Sequence, residues 1–268
     1  MRIISGDLRR RNLFSPNEKS PARPMPAMVR EAVFNLLRGH TEGEAVLDAF
    51  AGSGAIGLEA LSRRAGRCVF VENDKGTRKL LERNIEHLGV QDRAEVVFGD
   101  ALGPACLNAC PDPCHLIFFD PPYPMVRDPE QWPRVRRAFT RLIQKLDDTG
   151  YAVLRTPYPF LHEEHPRATV GLGEPAAGED PTARSDPFTE DDGEAELIVF
   201  EQGGPSHRYM DVDLTMQGAI GPETHSYRGT AIHLYMRDPA YEPEPEPGTP
   251  SGPTNGLSDE PDHRGMSA

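Results

Sequence analysis

Val46-Leu47-Asp48-Ala49-Phe50-Ala51-Gly52-Ser53-Gly54-Ala55-Ile56-Gly57 is the stretch that decides the fold. A short apolar run ends in an acid and passes into a glycine-rich turn. Gly57 then opens an amphipathic stretch, Leu58-Glu59-Ala60-Leu61-Ser62-Arg63-Arg64-Ala65, whose pattern predicts a helix. Gly52 to Gly57 match G-x-G-x-x-G, a spacing in which glycines let the backbone approach a ligand at a helix N-terminus. Alone, the match is weak.

Working outward strengthens it. Cys68-Val69-Phe70-Val71 ends in Glu72 and Asn73, which places an acid at the tip of a second strand to accept from ribose hydroxyls, a feature shared by NAD and S-adenosylmethionine. Ala94-Glu95-Val96-Val97-Phe98 ends in Gly99-Asp100-Ala101, with an acid suited to an adenine amino group. Leu116-Ile117-Phe118-Phe119 ends in Asp120-Pro121-Pro122-Tyr123. Four strands separated by helix-length segments, each delivering polar residues at its carboxyl end, predict an α/β fold: a doubly wound, mostly parallel, Rossmann-like sheet with its ligand crevice along that edge.

The Asp-Pro-Pro-Tyr turn adds chemistry that NAD binding does not explain. An exocyclic amine on a base has its lone pair delocalised into the ring, so a methyl donor reaches it only once acceptors draw the nitrogen towards sp³ geometry. An Asp carboxylate and a backbone carbonyl supply two acceptors. Successive prolines stiffen the turn and carry no N–H, and the Tyr ring offers a stacking face. An isolated Asp-Pro-Pro-Tyr is equally a proline-rich turn after a buried strand; the upstream motifs tip the reading to chemistry.

Taken together, Asp48 to Gly57, the Val71-Glu72 tip, Asp100 and the Asp120–Tyr123 turn resemble class I S-adenosylmethionine-dependent methyltransferases that modify exocyclic amines. The N-terminal segment narrows this. Arg2-Ile3-Ile4-Ser5-Gly6, Arg9-Arg10-Arg11-Asn12-Leu13, Arg23-Pro24 and Val29-Arg30-Glu31-Ala32-Val33-Phe34-Asn35 resemble the RsmD family over roughly residues 1 to 155, and the likeness resumes near Tyr227-Arg228-Gly229-Thr230-Ala231. Where the family commonly has Thr and a second Gly, this chain has Met25 and Arg10. The resemblance implies a seven-stranded sheet with an N-terminal hairpin and helix extension, and methyl transfer from S-adenosylmethionine to guanine N2 in small-subunit (16S) ribosomal RNA. Asp120, Pro121, Pro122 and Tyr123 would be catalytic. Asp48, Phe50, Ala51, Gly52, Ser53, Gly54, Gly57, Glu72, Asn73, Asp100 and Ala101 would bind the cofactor. Arg9, Arg10, Arg11, Arg23, Arg30 and Asn35 would meet RNA. A DNA amino-methyltransferase, a protein glutamine methyltransferase and a non-catalytic RNA-binding assembly factor are the alternatives.

Charge is unevenly spread. The chain has 268 residues and a net charge of -13, which by itself argues against nucleic acid as a partner. Yet residues 1–150 hold 22 Lys+Arg against 20 Asp+Glu, residues 151–268 hold 7 against 22, and residues 1–40 hold 8 against 3. The basic arm therefore lies where a phosphate backbone could be gripped. Ile3-Ile4 and Leu13-Phe14 predict a small hairpin carrying the arginines on its loop. Met28, Val29, Ala32, Val33, Leu36 and Leu37 predict the buried stripe of a helix, leaving Arg30 and Asn35 free.

Three units are expected: a basic extension at 1–40, a catalytic domain at 41–237 with an acidic, proline-rich insertion at about 157–193, and a disordered acidic tail at 238–268. Tyr151 to Leu154 predict a fifth strand, Leu197 to Phe200 and Val212 to Leu214 compete for the sixth, and Thr230 to Tyr235 predict the last, as the antiparallel edge. Cys68, Cys106, Cys110 and Cys114 read as reduced thiols rather than metal ligands, because Pro111 and Pro113 interrupt any helix before Cys114. No metal is expected. Without a leader or a membrane-length apolar run, the expectation is a cytoplasmic monomer acting on ribosomal RNA or the small subunit, with no membrane partner.

Overall fold

The computed structural model describes residues 1–15, 25–164 and 208–242. Along the chain run α1 (Ala27–Leu36), β1 (Ala45–Asp48), α2 (Ala55–Ser62), β2 (Arg67–Glu72), α3 (Lys75–Leu88), β3 (Ala94–Phe98), α4 (Pro104–Ala109), β4 (Cys114–Phe119), α5 (Tyr123–Arg127) and α6 (Trp132–Ile143). β5 (Leu146–Pro157), β6 (Leu161–Glu164), β7 (Arg208–Asp211), β8 (Ala219–Tyr227) and β9 (Thr230–Arg237) follow. Seven strands form one sheet in the order β3-β2-β1-β4-β5-β9-β8, parallel from β3 to β5 and antiparallel through β9 and β8. The order reverses at β1, and the neighbouring tips of β1 and β4 bound the crevice expected of a doubly wound sheet.

Period-two alternation builds a core on each face. Val46, Cys68, Phe70, Leu116 and Phe118 pack with Val33, Phe34, Leu58, Leu61 and Ile85 on one side. Their neighbours Leu47, Val69, Val71, Ile117 and Phe119 pack with Val135, Phe139 and Leu142 on the other. Strands buried on both faces need near-continuous apolar runs, which is what these sequences are. Local signals set the helix ends: Asp74 caps α3 by accepting from Thr77 N–H at 2.7 Å, and Gly89 ends it in the left-handed region.

Several expectations change. α2 begins at Ala55, so Gly57 lies inside its first turn; a Cβ there would stand 2.3 Å from the Phe70 ring, and the glycine permits close helix–strand packing. Val212 to Leu214 are not a strand, although Val212 and Leu214 pack on the core; Leu197 to Phe200 lie outside the described residues. The sixth sheet strand is β8, which escapes notice because it is polar and interrupted by Pro222. Consequently β9 is antiparallel but interior, and β8 is the edge. Within the expected insertion, the described part contains β6, paired antiparallel with β7. The first residues of the expected tail turn back on the domain, Asp238 N–H donating to the Gly218 carbonyl at 3.0 Å.

The N-terminus forms a loop closed by a single antiparallel bridge, Arg2 to Asn12, instead of a laddered hairpin. It is seated on the sheet-covering helices. Ile3 and Leu13 enter the core with α1 and α2. Glu59 of α2, fully buried, accepts from Ile4 N–H at 2.7 Å and Ser5 N–H at 2.9 Å, and from Arg63 Nε at 3.0 Å. Phe14 exchanges both backbone bonds with Asn84 of α3, whose Nδ2 also donates to the Ser53 carbonyl.

α1 is rotated from its predicted face. Met28 is 77% exposed, while Arg30 is 1% exposed and lies on the buried face with Val29, Val33 and Phe34. The reason is electrostatic: Arg30 Nη2 donates to the Arg2 carbonyl at 2.8 Å and Nε stands 3.9 Å from Glu59, so the buried acid has drawn the cation inward.

Candidate active site

The candidate residues gather at the carboxyl ends of β2, β1 and β4. Asp48 closes β1 and is buried; Oδ2 accepts from Gly57 N–H at 2.9 Å, and Oδ1 has no hydrogen-bond partner among the described residues. Burial pushes this carboxyl up to about 7, with the Gly57 bond opposing and the charges of Asp120 and Glu72 adding to the rise. Between β1 and α2 the turn is held to β2: Ala51 N–H donates to the Val71 carbonyl, and Gly52 N–H to Glu72 Oε2 at 2.9 Å. Glu72 Oε1 accepts from Asp74 N–H at 2.8 Å. Gly54, at φ 84°, caps α2 in a conformation open to glycine, and a Cβ there would stand 2.5 Å from Leu81.

The remaining cofactor candidates line up behind these. Ser53 is buried with its carbonyl on Asn84, Phe50 stands edge-on to Phe119, Ala101 is buried and Asn73 is exposed. Asp100 accepts from Leu102 N–H and pairs with Arg134 of α6 across an exposed surface.

At the tip of β4, Asp120 is met by Arg155 of β5, whose Nε donates to Oδ1 at 2.5 Å. Burial pushes the Asp120 carboxyl upward, and the Arg155 cation opposes it. Pro122 spends its carbonyl on the first turn of α5, accepting from Met125 N–H at 2.9 Å; the Pro121 carbonyl accepts no hydrogen bond among the described residues. Tyr123 is half-buried. Its hydroxyl donates to Thr230 Oγ1 at 2.7 Å, and the guanidiniums of Arg155 and Arg127 lie 5.0 and 5.7 Å from its ring centroid. Arg155 and Thr230 were missed by sequence reasoning. For Arg155 a signal existed, since it is the polar residue near the carboxyl end of the fifth strand.

The expected RNA-facing residues do not form one surface. Arg9 and Asn35 line a cavity of about 410 Å³ between the N-terminal loop and α1, together with Ser5, Arg38, Thr41 and Arg63. Arg10 is exposed, at φ 68°. Arg11 is exposed but donates to the His87 carbonyl at the end of α3 at 2.7 Å. Arg30 is buried and occupied as described, which removes it from any RNA contact in this conformation. Arg23 lies outside the described residues.

At the opposite, amino edge of the sheet, Glu44, His115 and Asp147 converge. His115 Nδ1 is 2.8 Å from Asp147 Oδ2 and 3.9 Å from Glu44 Oε2, and Nε2 is 3.0 Å from His40 Nδ1. Both ring nitrogens have partners, so the group ties together the starts of β1, β4 and β5. The four cysteines are buried and free, and burial pushes Cys106 up to about 12. No helix among the described residues is long and apolar enough to cross a membrane.

Sheet order, the glycine turn and an acid-lined carboxyl edge together define the class I methyltransferase fold. Solved structures agree: the Escherichia coli protein yhhF superposes with a TM-score of 0.56 at 24% identity, covering 89% of this chain and 98% of that one. A hypothetical protein of Thermus thermophilus gives 0.54 at 24%, covering 87% and 98%. The family model described as Conserved hypothetical protein 95 matches residues 1–140. The chain belongs to that family, the RsmD family that its motifs resemble.

Among curated relatives, Ribosomal RNA small subunit methyltransferase D of Escherichia coli (strain K12) is 39% identical over 124 residues, 46% of this chain and 60% of the relative. Its namesake in Haemophilus influenzae is 36% identical over 126 residues, 46% and 64%. The chain thus spans a little over three fifths of these relatives' length.

Proposed function

We propose that the protein is an S-adenosylmethionine-dependent methyltransferase acting on the N2 amine of a guanine in small-subunit ribosomal RNA. The observation that carries this is the placement of three carboxylates, Asp48, Glu72 and Asp120, at the carboxyl tips of the adjacent strands β1, β2 and β4, with a buried oxygen of Asp48 that has no donor among the described residues. Such a site suits a cation. The residues present fit a cofactor bearing a sulfonium and an ammonium, with Glu72 suited to its ribose hydroxyls. The relatives named as rRNA small subunit methyltransferases supply the substrate class.

When bound, S-adenosylmethionine supplies a methyl group already activated by the sulfonium charge. The chain's own work is to orient the amine, accept its hydrogens and exclude water. Asp48, the Gly52–Gly54 turn and Glu72 would hold the cofactor, with Phe50, Ala51, Ser53, Asn73, Asp100 and Ala101 around them. Asp120 and the Pro121 carbonyl, both with acceptor capacity left, would take the hydrogens of the amine. Tyr123 offers a flat face for the base, and turning a paired base out would cost a few kcal/mol. Arg9, Arg10 and Asn35 are the arm residues that would meet phosphate.

Incubating the protein with labelled methyl donor and small ribosomal particles, then mapping the modified nucleoside, tests this reading. Label on guanine N2 is the expected result. Label on adenine, on DNA alone or on glutamine, or none at all, overturns it.

A further inference from the structure

Arg155 stands near the carboxyl end of β5, the strand paired with β4, and reaches the first residue of the Asp-Pro-Pro-Tyr turn. The two side chains are 9% and 11% exposed, so the pair is largely withdrawn from solvent screening. Its geometry is one-sided. Nε holds Oδ1, while Oδ2 makes no hydrogen bond among the described residues. The same guanidinium lies over Tyr123, and the next residue, Thr156, anchors that ring from its far end: its carbonyl accepts from Thr230 Oγ1 at 3.0 Å, and Thr230 accepts from the tyrosine hydroxyl. Two consecutive residues of β5 therefore set both side chains of the turn.

We infer that Arg155 is the positioning residue of the amine acceptor, fixing one oxygen of Asp120 so that the other is presented to the target nitrogen. The inference rests on the methyl-transfer reading above. Arg155 acts through Asp120 and touches neither base nor cofactor in this role. It also holds the carboxylate in the form the chemistry needs, because a protonated Asp120 would present an O–H donor where an acceptor is required. The other charged groups nearby are Asp48 on β1, of like sign, and Arg127 on α5, which lies by the same Tyr123 ring. Arg155 is thus the cation in direct contact with a carboxylate that burial pushes towards neutrality.

The test is the pH–rate profile of methyl transfer at saturating cofactor for the wild type, Arg155→Met and Arg155→Lys, with cofactor affinity measured in parallel. Arg155→Met removes charge and hydrogen bond while keeping much of the volume. Its rate at neutral pH should fall about tenfold or more, its acid limb should move up by roughly one pH unit or more, and activity should recover as pH rises, with cofactor affinity unchanged. Arg155→Lys keeps the charge without the planar donor, so the limb should stay in place while the rate drops about three- to tenfold. Unmoved limbs in Arg155→Met, or a loss that alkaline pH does not lessen at all, overturn the inference. Should Arg155→Met fail to fold, Arg155→Lys decides it, and a wild-type rate in that variant overturns it equally. A wild type silent towards every RNA overturns the methyl-transfer reading and the inference with it, an outcome distinct from an active wild type whose variants behave normally.

Discussion

The two edges of the sheet use the same residue types to opposite ends. At the amino edge, Glu44, His115, Asp147 and His40 satisfy one another, both nitrogens of a buried histidine finding partners. At the carboxyl edge, Asp48, Glu72 and Asp120 crowd together, an oxygen of Asp48 is buried without a donor, and Asp120 is held through one oxygen only. Leaving a buried acceptor unmet costs about 1–3 kcal/mol, so the fold tolerates at one edge what it avoids at the other. The incomplete edge is the one able to take a ligand.

Breaking the carboxyl edge should have the largest consequence. Asp120→Ala is expected to lower methyl transfer by about 10²- to 10³-fold, roughly 3–4 kcal/mol, with cofactor affinity by calorimetry nearly unchanged. Glu72→Ala should reverse that pattern, weakening cofactor binding first. A mutant of Asp120 retaining more than about a tenth of the rate would remove it from the chemistry.

Next in size is Asp48. Its carboxyl, at about 7 in the fold, lies above the value near 3.9 of an unfolded chain, so the folded state binds a proton more readily. Stability from this group is full below about pH 4 and is lost as pH rises through about 7. Asp48→Asn should therefore stabilise the cofactor-free protein at pH 8 by about 2–3 kcal/mol, and little at pH 4, while weakening cofactor binding. Urea titrations at the two pH values check the sign; equal effects at both would detach Asp48 from the strain of the site.

The amino edge should behave as ordinary scaffold. Asp147→Asn is expected to cost about 1 kcal/mol of stability at neutral pH and to leave methyl transfer at its wild-type rate. Burial works to raise the Asp147 carboxyl, but His115 and the Thr149 groups together outweigh it and hold the group below its usual value. Its contribution is therefore present at neutral pH and lost as pH falls below about 4, and the variant's melts should lose that acid dependence. Altered kcat in this variant would mean that the two edges communicate. Arg10→Gly should have the smallest effect, a gain of about 0.5 kcal/mol, because a non-glycine residue at φ 68° carries a left-handed penalty that glycine escapes.

The parallel half of the sheet was legible because each of its first four strands is an apolar run that stops at a polar residue, and Asp48, Glu72 and Asp120 lie at the strand tips where that rule put them. β8 was not legible, because an edge strand faces water and needs no apolar run; only the short Arg228-Gly229 turn before β9 marked it. Arg30 was misread for a similar reason. Charges are expected off a buried stripe, and the cue that overrides this, Glu59 in the otherwise apolar α2, acquires meaning only when the two helices are brought together. Arg155 was within reach of the strand-tip rule, but its partner lies 35 residues earlier and only strand pairing joins them.

The seating of the first fifteen residues makes them part of the scaffold. Glu59 is a buried acid whose two oxygens are met by Ile4 and Ser5, and Asn84 bridges Phe14 to the carbonyl of Ser53 in the glycine turn. Without this segment the Glu59 carboxylate would keep Arg63 and Arg30 but lose both backbone donors, and Asn84 would lose its partner Phe14 beside the glycine turn. Residues that read as an appended arm are thus part of what seats α2 and that turn.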